Sequence, residues 1–199
     1  MSILSGEVRA RLVGVYTGAD RHYHDLRHIK AMLALAEEHA GEINDREVVE
    51  AAIWFHDAVY DTRKAENEAE SAKLAAQLLA GAVEQDRLEL VASMIRASAD
   101  HRVPEATMDG AAAKDCALFL DVDLAILGSA PAEFDGYERD VRAEYDWVPE
   151  EAWIAGRAKV LSSFLARPFV YGTPQFRKSH EATARANLVR SLAKLEVGK

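Results

Sequence analysis

The sequence predicts an all-α protein, a helical bundle of about eight or nine helices that forms a single domain over residues 1–199. Two observations lead to this prediction. Apolar residues recur at helical spacing along most of the chain, as at Leu4, Val8, Leu12 and Val15. No segment of useful length shows the alternation of apolar and polar residues that is typical of strands.

The first two predicted helices cover about residues 3–16 and about residues 23–39, and Gly41 ends the second one. The second helix contains His24 and His28, which are four residues apart. Because residues at this spacing lie one turn apart, we expect the two histidines to share one face of the helix.

A third helix is predicted at about 45–58, where Asn44 and Glu47 form a capping-box pattern. It ends near His56 and Asp57, a polar pair in an otherwise apolar segment. Burial of such a pair is costly unless a partner satisfies both groups. Neutral imidazole and carboxylate are both good ligands for divalent first-row metals.

The remaining predicted elements are helices at about 67–83, 86–99, 112–127 with Gly128 as C-cap, 131–146, 149–166 and one after Pro174, with a loop at about 100–110.

Composition limits the classes of partner. The formal net charge is −9, with 33 acidic and 24 basic residues, which argues against a nucleic-acid polymer or an anionic membrane surface. No run of about 18 uncharged apolar residues predicts a transmembrane helix, and residues 1–14 lack the apolar core of a signal peptide. The single cysteine, Cys116, excludes an intrachain disulfide and is expected to pack. These observations predict a cytoplasmic protein and leave open whether it forms a homo-oligomer.

A histidine, a His-Asp doublet and a distant aspartate, in this order, resemble the HD superfamily of metal-dependent phosphohydrolases. The residues that match the family's four metal ligands are His28, His56, Asp57 and Asp123. The resemblance implies an HD-domain-like fold and one divalent metal ion (Mn, Fe, Mg, Zn or Ni), with a second ion left open. It also implies that a metal-activated water hydrolyses a small phosphate ester, with a nucleotide among the candidates.

The resemblance covers about residues 20–128, the expected core of the metal site, and leaves about 129–199 as a C-terminal helical extension. The segment YHDLRHI is similar to the entry helix of cyclic-nucleotide phosphodiesterases, which share the HD core. In those enzymes the first histidine is a general acid and the second a ligand. The resemblance therefore implies a catalytic role for His24, together with Asp57. The alternative is that His24 only orients His28 or lies at the surface.

The distant ligand is either Asp121 or Asp123. The context of Asp123, between Val122 and Leu124, resembles the family pattern better. Two positions on a helix that are two residues apart point about 200° away from each other, so both carboxylates should not face one ion. We therefore expect Asp123 to be the ligand.

Four further residues are expected around the metal. His101 and Lys64 are expected to contact the substrate, and Asn67 and Glu68 to support the ligands. Some dinuclear family members have a His-Glu pair where this chain has Asn67 and Glu68, which favours a single metal. Each of the four also has a plainer explanation, as a solvated side chain or as part of an ordinary helix N-terminus.

Other functions are left open by the sequence. They are a di-iron oxygenase of HD type, a non-catalytic metal or nucleotide sensor of the same fold, and a structural helical module. The arginines of the C-terminal third either bind a substrate phosphate or form ion pairs with some of the 33 acidic residues.

Overall fold

The structure, a computed structural model, describes residues 3–104 and 108–197. Throughout these residues the regular secondary structure is helical, which confirms the predicted all-α class. Part of the loop predicted at 100–110, residues 105–107, lies outside the described residues. None of the described helices is long and apolar enough to cross a membrane. The α-helices are α1 (Gly6–Val15), α2 (Leu26–Glu38), α3 (Arg46–Phe55), α4 (Asn67–Leu79), α5 (Gln85–Ala97), α6 (Gly110–Asp123), α7 (Pro131–Glu144), α8 (Glu150–Leu165), α9 (Pro174–Ser179) and α10 (Glu181–Val197), with 3₁₀ turns at Ala40–Glu42 and Leu124–Gly128.

The start of α2 differs from the prediction. Asp25 is the N-cap of this helix, because its side chain accepts hydrogen bonds from the backbone N–H groups of Arg27 and His28. His24 therefore lies before the helix. The prediction that His24 and His28 share a helical face is wrong, although the two rings are still close in space.

The start of α3 also differs. Its N-cap is Asp45, whose side chain accepts from the N–H of Val48, and not Asn44. The backbone N–H and the side-chain amide of Asn44 both donate to Oδ1 of the buried Asp115, at 2.8 and 2.9 Å. A third bond, from the N–H of Asp45 to Oδ2 of Asp115, measures 2.8 Å. One carboxylate of α6 thus fixes the beginning of the helix that leads to His56.

The chain divides into two compact units, Met1–Val122 and Asp123–Lys199, and this boundary falls at the last residue of α6. In the first unit α3 is the central helix and packs against α1, α2, α4 and α5. Its side chains from Val48 to Phe55 are buried, apart from the half-buried Glu50. Cys116 of α6 is fully buried, and burial raises the pKa of its thiol to about 12, which agrees with the expected packing role.

In the second unit α10 packs against α8, α9 and the 3₁₀ turn Leu124–Gly128. Gly128 does not have the left-handed backbone expected of a C-cap. A Cβ atom there would lie 2.7 Å from Cβ of His180 and 2.8 Å from Oη of Tyr171, so close approach is what requires glycine.

The helix predicted after Pro174 is divided into α9 and α10 at His180, whose ring stacks on Phe176 with ring centroids 4.9 Å apart. Several arginines of this unit donate to its own carboxylates or backbone carbonyls, and three of them form ion pairs with Glu150, Glu138 and Glu181. These arginines are Arg142, Arg157, Arg177 and Arg185.

Candidate metal centre

Three predicted metal ligands come together in the structure. His28 lies in the first turn of α2, His56 directly follows α3, and Asp123 is the last residue of α6. One ligand atom from each of the three lies within 4.8 Å of the other two, a group that could hold a metal ion. The two histidines are buried and the aspartate is half-buried.

The two imidazoles approach each other through their Nε2 atoms, which are 3.3 Å apart. The same Nε2 of His56 lies 3.0 Å from Oδ2 of Asp57. Asp57 is not one of the three residues within the 4.8 Å group. Its carboxylate nevertheless contacts the ligand nitrogen of the group, and its predicted role as fourth ligand stays a prediction.

A hydrogen bond on the far side of the His56 ring fixes its tautomer. Nδ1 of His56 lies 2.9 Å from the carbonyl oxygen of Ile53. Because a carbonyl can only accept, the proton of the neutral imidazole must be on Nδ1. Nε2 then carries the lone pair and directs it towards His28 and Asp57, as a metal-ligating histidine does.

This arrangement brings several acceptor atoms together. The lone pair of His56 Nε2 faces the Asp57 carboxylate at 3.0 Å, and two such acceptors repel each other unless a positive charge lies between them. A metal ion or a second proton on His56 removes this repulsion. The group could therefore hold a cation.

Two separations at this group are compatible with ligands that share one metal ion. Ligand atoms at ~2.1 Å from an ion are ~3.0 Å apart at neighbouring corners of an octahedron and ~3.4 Å apart at the corners of a tetrahedron. The separations of 3.3 Å between the histidine nitrogens and 3.0 Å between His56 and Asp57 lie in this range. Mixed imidazole and carboxylate ligands suit Mn, Fe, Ni and Zn alike, so they do not identify the metal.

The choice between the two aspartates of α6 follows from the same geometry. Asp123 is in the group that could hold a metal, and Asp121 is not. Asp121 is almost completely buried, with 1% of its surface exposed. The helix therefore presents the two carboxylates to different surroundings, as their spacing predicts.

The charge of Asp123 acts on Tyr137, which belongs to a polar network of the second unit. Oη of Tyr137 accepts a hydrogen bond from Arg157 at 2.9 Å, and Arg157 also pairs with Glu138. Ser191 donates to Glu138 at 2.8 Å. Burial raises the pKa of Tyr137; the charge of Arg157 opposes this, and those of Glu138 and Asp123 add to it. The phenol of Tyr137 is therefore held in its neutral form.

His24 lies beside the group without belonging to it. Its ring centroid is 6.1 Å from that of His28 and 4.4 Å from that of Tyr60, against which it lies at a tilt of 32°. Tyr23 completes an aromatic cluster, 5.0 Å from His24 and 4.9 Å from His28. This proximity does not arise from a shared helix face, and the predicted role of His24 as a general acid stays a prediction.

Arg21 is a residue of this region that the sequence analysis did not single out. Its guanidinium donates to the carbonyl oxygens of His24 at 2.8 Å, Asp57 at 2.9 Å and Ala58 at 3.3 Å. It lies between the first two predicted helices, where no periodic pattern indicates contacts. An arginine within three residues of a candidate catalytic histidine was the only signal available.

Of the four further residues expected around the metal, Lys64 lies in the segment between α3 and α4, and Asn67 is the first residue of α4. Asn67 closes this segment, because it accepts from the N–H of Asp61 at 3.1 Å and donates to the carbonyl of Asp61 at 3.0 Å. The side chain of Lys64 is 70% exposed and lies 3.3 Å from a carboxylate oxygen of Asp61. Glu68 is half-buried in the first turn of α4.

His101, the fourth, follows α5 and has a positive φ of 52°, a conformation that residues other than glycine rarely adopt. These four residues are not in the 4.8 Å group, and their roles stay predictions.

Comparison with models of known families, with curated proteins and with solved structures finds no match to this chain, so the assignment of this centre depends on its geometry and its chemistry.

Proposed function

We propose that this protein is a metal-dependent phosphohydrolase of HD type that acts on a small phosphate ester. The observation that carries the proposal is the convergence of His28, His56 and Asp123 within 4.8 Å, with the lone pair of His56 fixed towards the centre of the group. Asp57, 3.0 Å from the same nitrogen, is proposed as the fourth ligand. A di-iron oxygenase would need further histidines, and Asn67 occupies the place where one is expected.

The proposed ligands balance the charge of a divalent cation. Two neutral imidazoles and two carboxylates bring two negative charges, so the burial of the cation leaves no large net charge in the site. When bound, such an ion polarises phosphoryl oxygens and lowers the pKa of a coordinated water. The half-buried side at Asp123 is where a substrate phosphate can approach.

The protein itself supplies positions and protons. Ile53 keeps His56 in the ligating tautomer, and Asp25 caps the helix that carries His28. His24, beside His28 and against Tyr60, is proposed to donate a proton to the oxygen that leaves phosphorus. A net charge of −9 favours a small substrate over a nucleic-acid polymer.

The test compares two kinds of ester in wild type and in His24→Ala, at saturating Mn²⁺ and with metal content measured in both proteins. Loss of a general acid should slow hydrolysis of an alkyl phosphate by ~10²–10⁴-fold. The effect should be much smaller for an aryl phosphate with an acidic phenol, because the departing phenolate needs little protonation.

His22→Ala is the matched control, since it removes an exposed histidine two residues away. Equal losses on both esters in His24→Ala would assign His24 to binding instead of proton transfer. If the wild-type protein binds the metal but hydrolyses no phosphate ester or diester, the catalytic proposal is refuted and a metal or nucleotide sensor takes its place.

A further inference from the structure

The segment that carries His24 lacks the support of a helix. It lies between α1, which ends at Val15, and α2, which begins at Leu26. A histidine in such a segment keeps a fixed position only if other groups hold its backbone. Two arginine side chains bond to the backbone of this segment: Arg27 donates to the carbonyl of His22 at 2.6 Å, and Arg21 donates to that of His24 itself.

Arg21 joins this segment to the residues that follow α3. One guanidinium nitrogen, Nη1, donates both to the carbonyl of His24 and to the carbonyl of Asp57, at 2.8 and 2.9 Å. The second, Nη2, donates to the carbonyl of Ala58 at 3.3 Å. Because the guanidinium is planar and rigid, these bonds fix the distance between the two backbone segments.

The guanidinium is also held in place. Its central carbon lies 5.0 Å from the ring centroid of Tyr16 and 5.4 Å from that of Tyr60, within the range of cation–π attraction. Tyr16 is itself anchored, since its hydroxyl donates to the carbonyl of Trp54 in α3 at 3.0 Å. Tyr60 is the residue against which the His24 ring lies. Arg21 therefore contacts both the backbone of His24 and the ring that positions its side chain.

We propose that Arg21 is a positioning residue that sets the place of His24 relative to the metal centre, by holding its carbonyl against those of Asp57 and Ala58. The inference about catalysis rests on the proposed function, whereas the inference about the position of His24 does not. Arg21 itself contacts backbone carbonyls and aromatic rings, so it acts through His24.

The first measurement follows the position of His24 directly. In wild type, nuclear Overhauser effects should join the ring protons of His24 and Tyr60, whose centroids are 4.4 Å apart. Arg21→Gln should weaken or abolish them. The matched control is Arg9→Gln, which removes an ion pair of 2.7 Å between α1 and Glu50 of α3 but no bond to His24. It should keep these signals even where it lowers the melting temperature.

The second measurement is a double-mutant cycle on hydrolysis of the alkyl phosphate at saturating Mn²⁺. If Arg21 acts through His24, Arg21→Gln should slow the reaction by ~10–100-fold, as loss of a supporting contact does. The double variant with His24→Ala should be no slower than His24→Ala alone. Additive losses would show that Arg21 acts on something else.

Arg21→Lys keeps the experiment decisive if Arg21→Gln does not fold. Lysine keeps the positive charge between the rings but loses the planar fork, so the ring signals should be weakened. Wild-type ring signals in Arg21→Lys or Arg21→Gln would overturn the inference. Loss of the signals in a protein that hydrolyses no ester would support the positioning role of Arg21 and refute the catalytic proposal.

Discussion

Replacement of Asp123 by asparagine should remove most of the stabilisation that a metal gives to this protein. A metal that binds only the folded chain stabilises it by about 2.7 kcal/mol when its free concentration is 100 times its Kd. For a chain of about 150–250 residues, each kcal/mol shifts the melting temperature by about 2–4 °C. The wild-type protein should therefore melt about 5–11 °C higher with the metal than in chelator.

The size of the loss follows from the place of Asp123 in the site. It is one of three residues whose ligand atoms lie within 4.8 Å of one another, and it brings negative charge to the group. Loss of a contact that merely supports a ligand costs up to about 100-fold in metal affinity, and loss of the ligand charge should cost at least as much. At the same metal concentration the variant is then stabilised by about 0.4 kcal/mol at most. Its melting temperature should rise by only about 1–2 °C.

The assay is differential scanning calorimetry of apo and Mn²⁺-loaded protein, with Asp121→Asn as the matched control. Asp121 lies on the same helix, two residues away, and is more deeply buried than Asp123. Asp121→Asn should lower the melting temperature of the apo protein and keep the full rise on metal addition. A full rise in Asp123→Asn, or its loss in Asp121→Asn alone, would refute the assignment of the distant ligand.

Two further predictions concern Asp57 and α3. Asp57→Ala should lower the metal content of a dialysed sample to a small fraction of the wild-type value, because a carboxylate next to His56 is lost. The circular dichroism spectrum should stay helical. One metal ion per chain in the variant would exclude Asp57 as a ligand. Asp45→Ala should lower the free energy of unfolding in urea by about 0.5–2 kcal/mol, since it removes the N-cap of α3. Burial alone would raise the pKa of Asp45, but the hydrogen bonds from Arg87 and the N–H of Val48 outweigh it and hold the pKa below the ordinary 3.8. The stability that this carboxylate contributes is thus present above pH 3.8 and is lost as the pH falls through the lowered pKa. The difference in unfolding free energy between wild type and Asp45→Ala should therefore become smaller in acid. A difference that stays constant down to pH 2 would contradict this.

Helices such as α2, α3 and α5 could be predicted from the sequence because each of them buries several apolar residues. The start of α2 could have been predicted better, since Asp25 is a strong N-cap residue directly before the apolar positions of the helix. The choice between Asn44 and Asp45 could not, because both are good caps. What decides it is that Asn44 bonds to Asp115, a residue 71 positions away.

The candidate ligands could be proposed from their order along the chain, whereas the arrangement around them could not. Arg21 bonds to Asp57 and Ala58, which lie 36 and 37 residues away in the sequence, and a local sequence pattern does not predict contacts at such a separation. The break between α9 and α10 could not be predicted from local sequence either. It occurs at His180 with no proline or glycine to mark it, where stacking on Phe176 fixes the chain.

The histidines and the aspartates of the candidate centre differ in how deeply they are buried. His28 and His56 are 7% and 2% exposed, so replacing either of them leaves a gap in the core and changes stability together with metal affinity. Asp123 is only half-buried, and Asp57 has 13% of its side chain exposed. In the proposed site the carboxylates would bring the negative charge that balances a cation, while the imidazoles would bring mainly shape and a directed lone pair. Replacement of the aspartates should therefore test metal binding with less effect on folding than replacement of the histidines, and these variants are the sharper test of the proposed function.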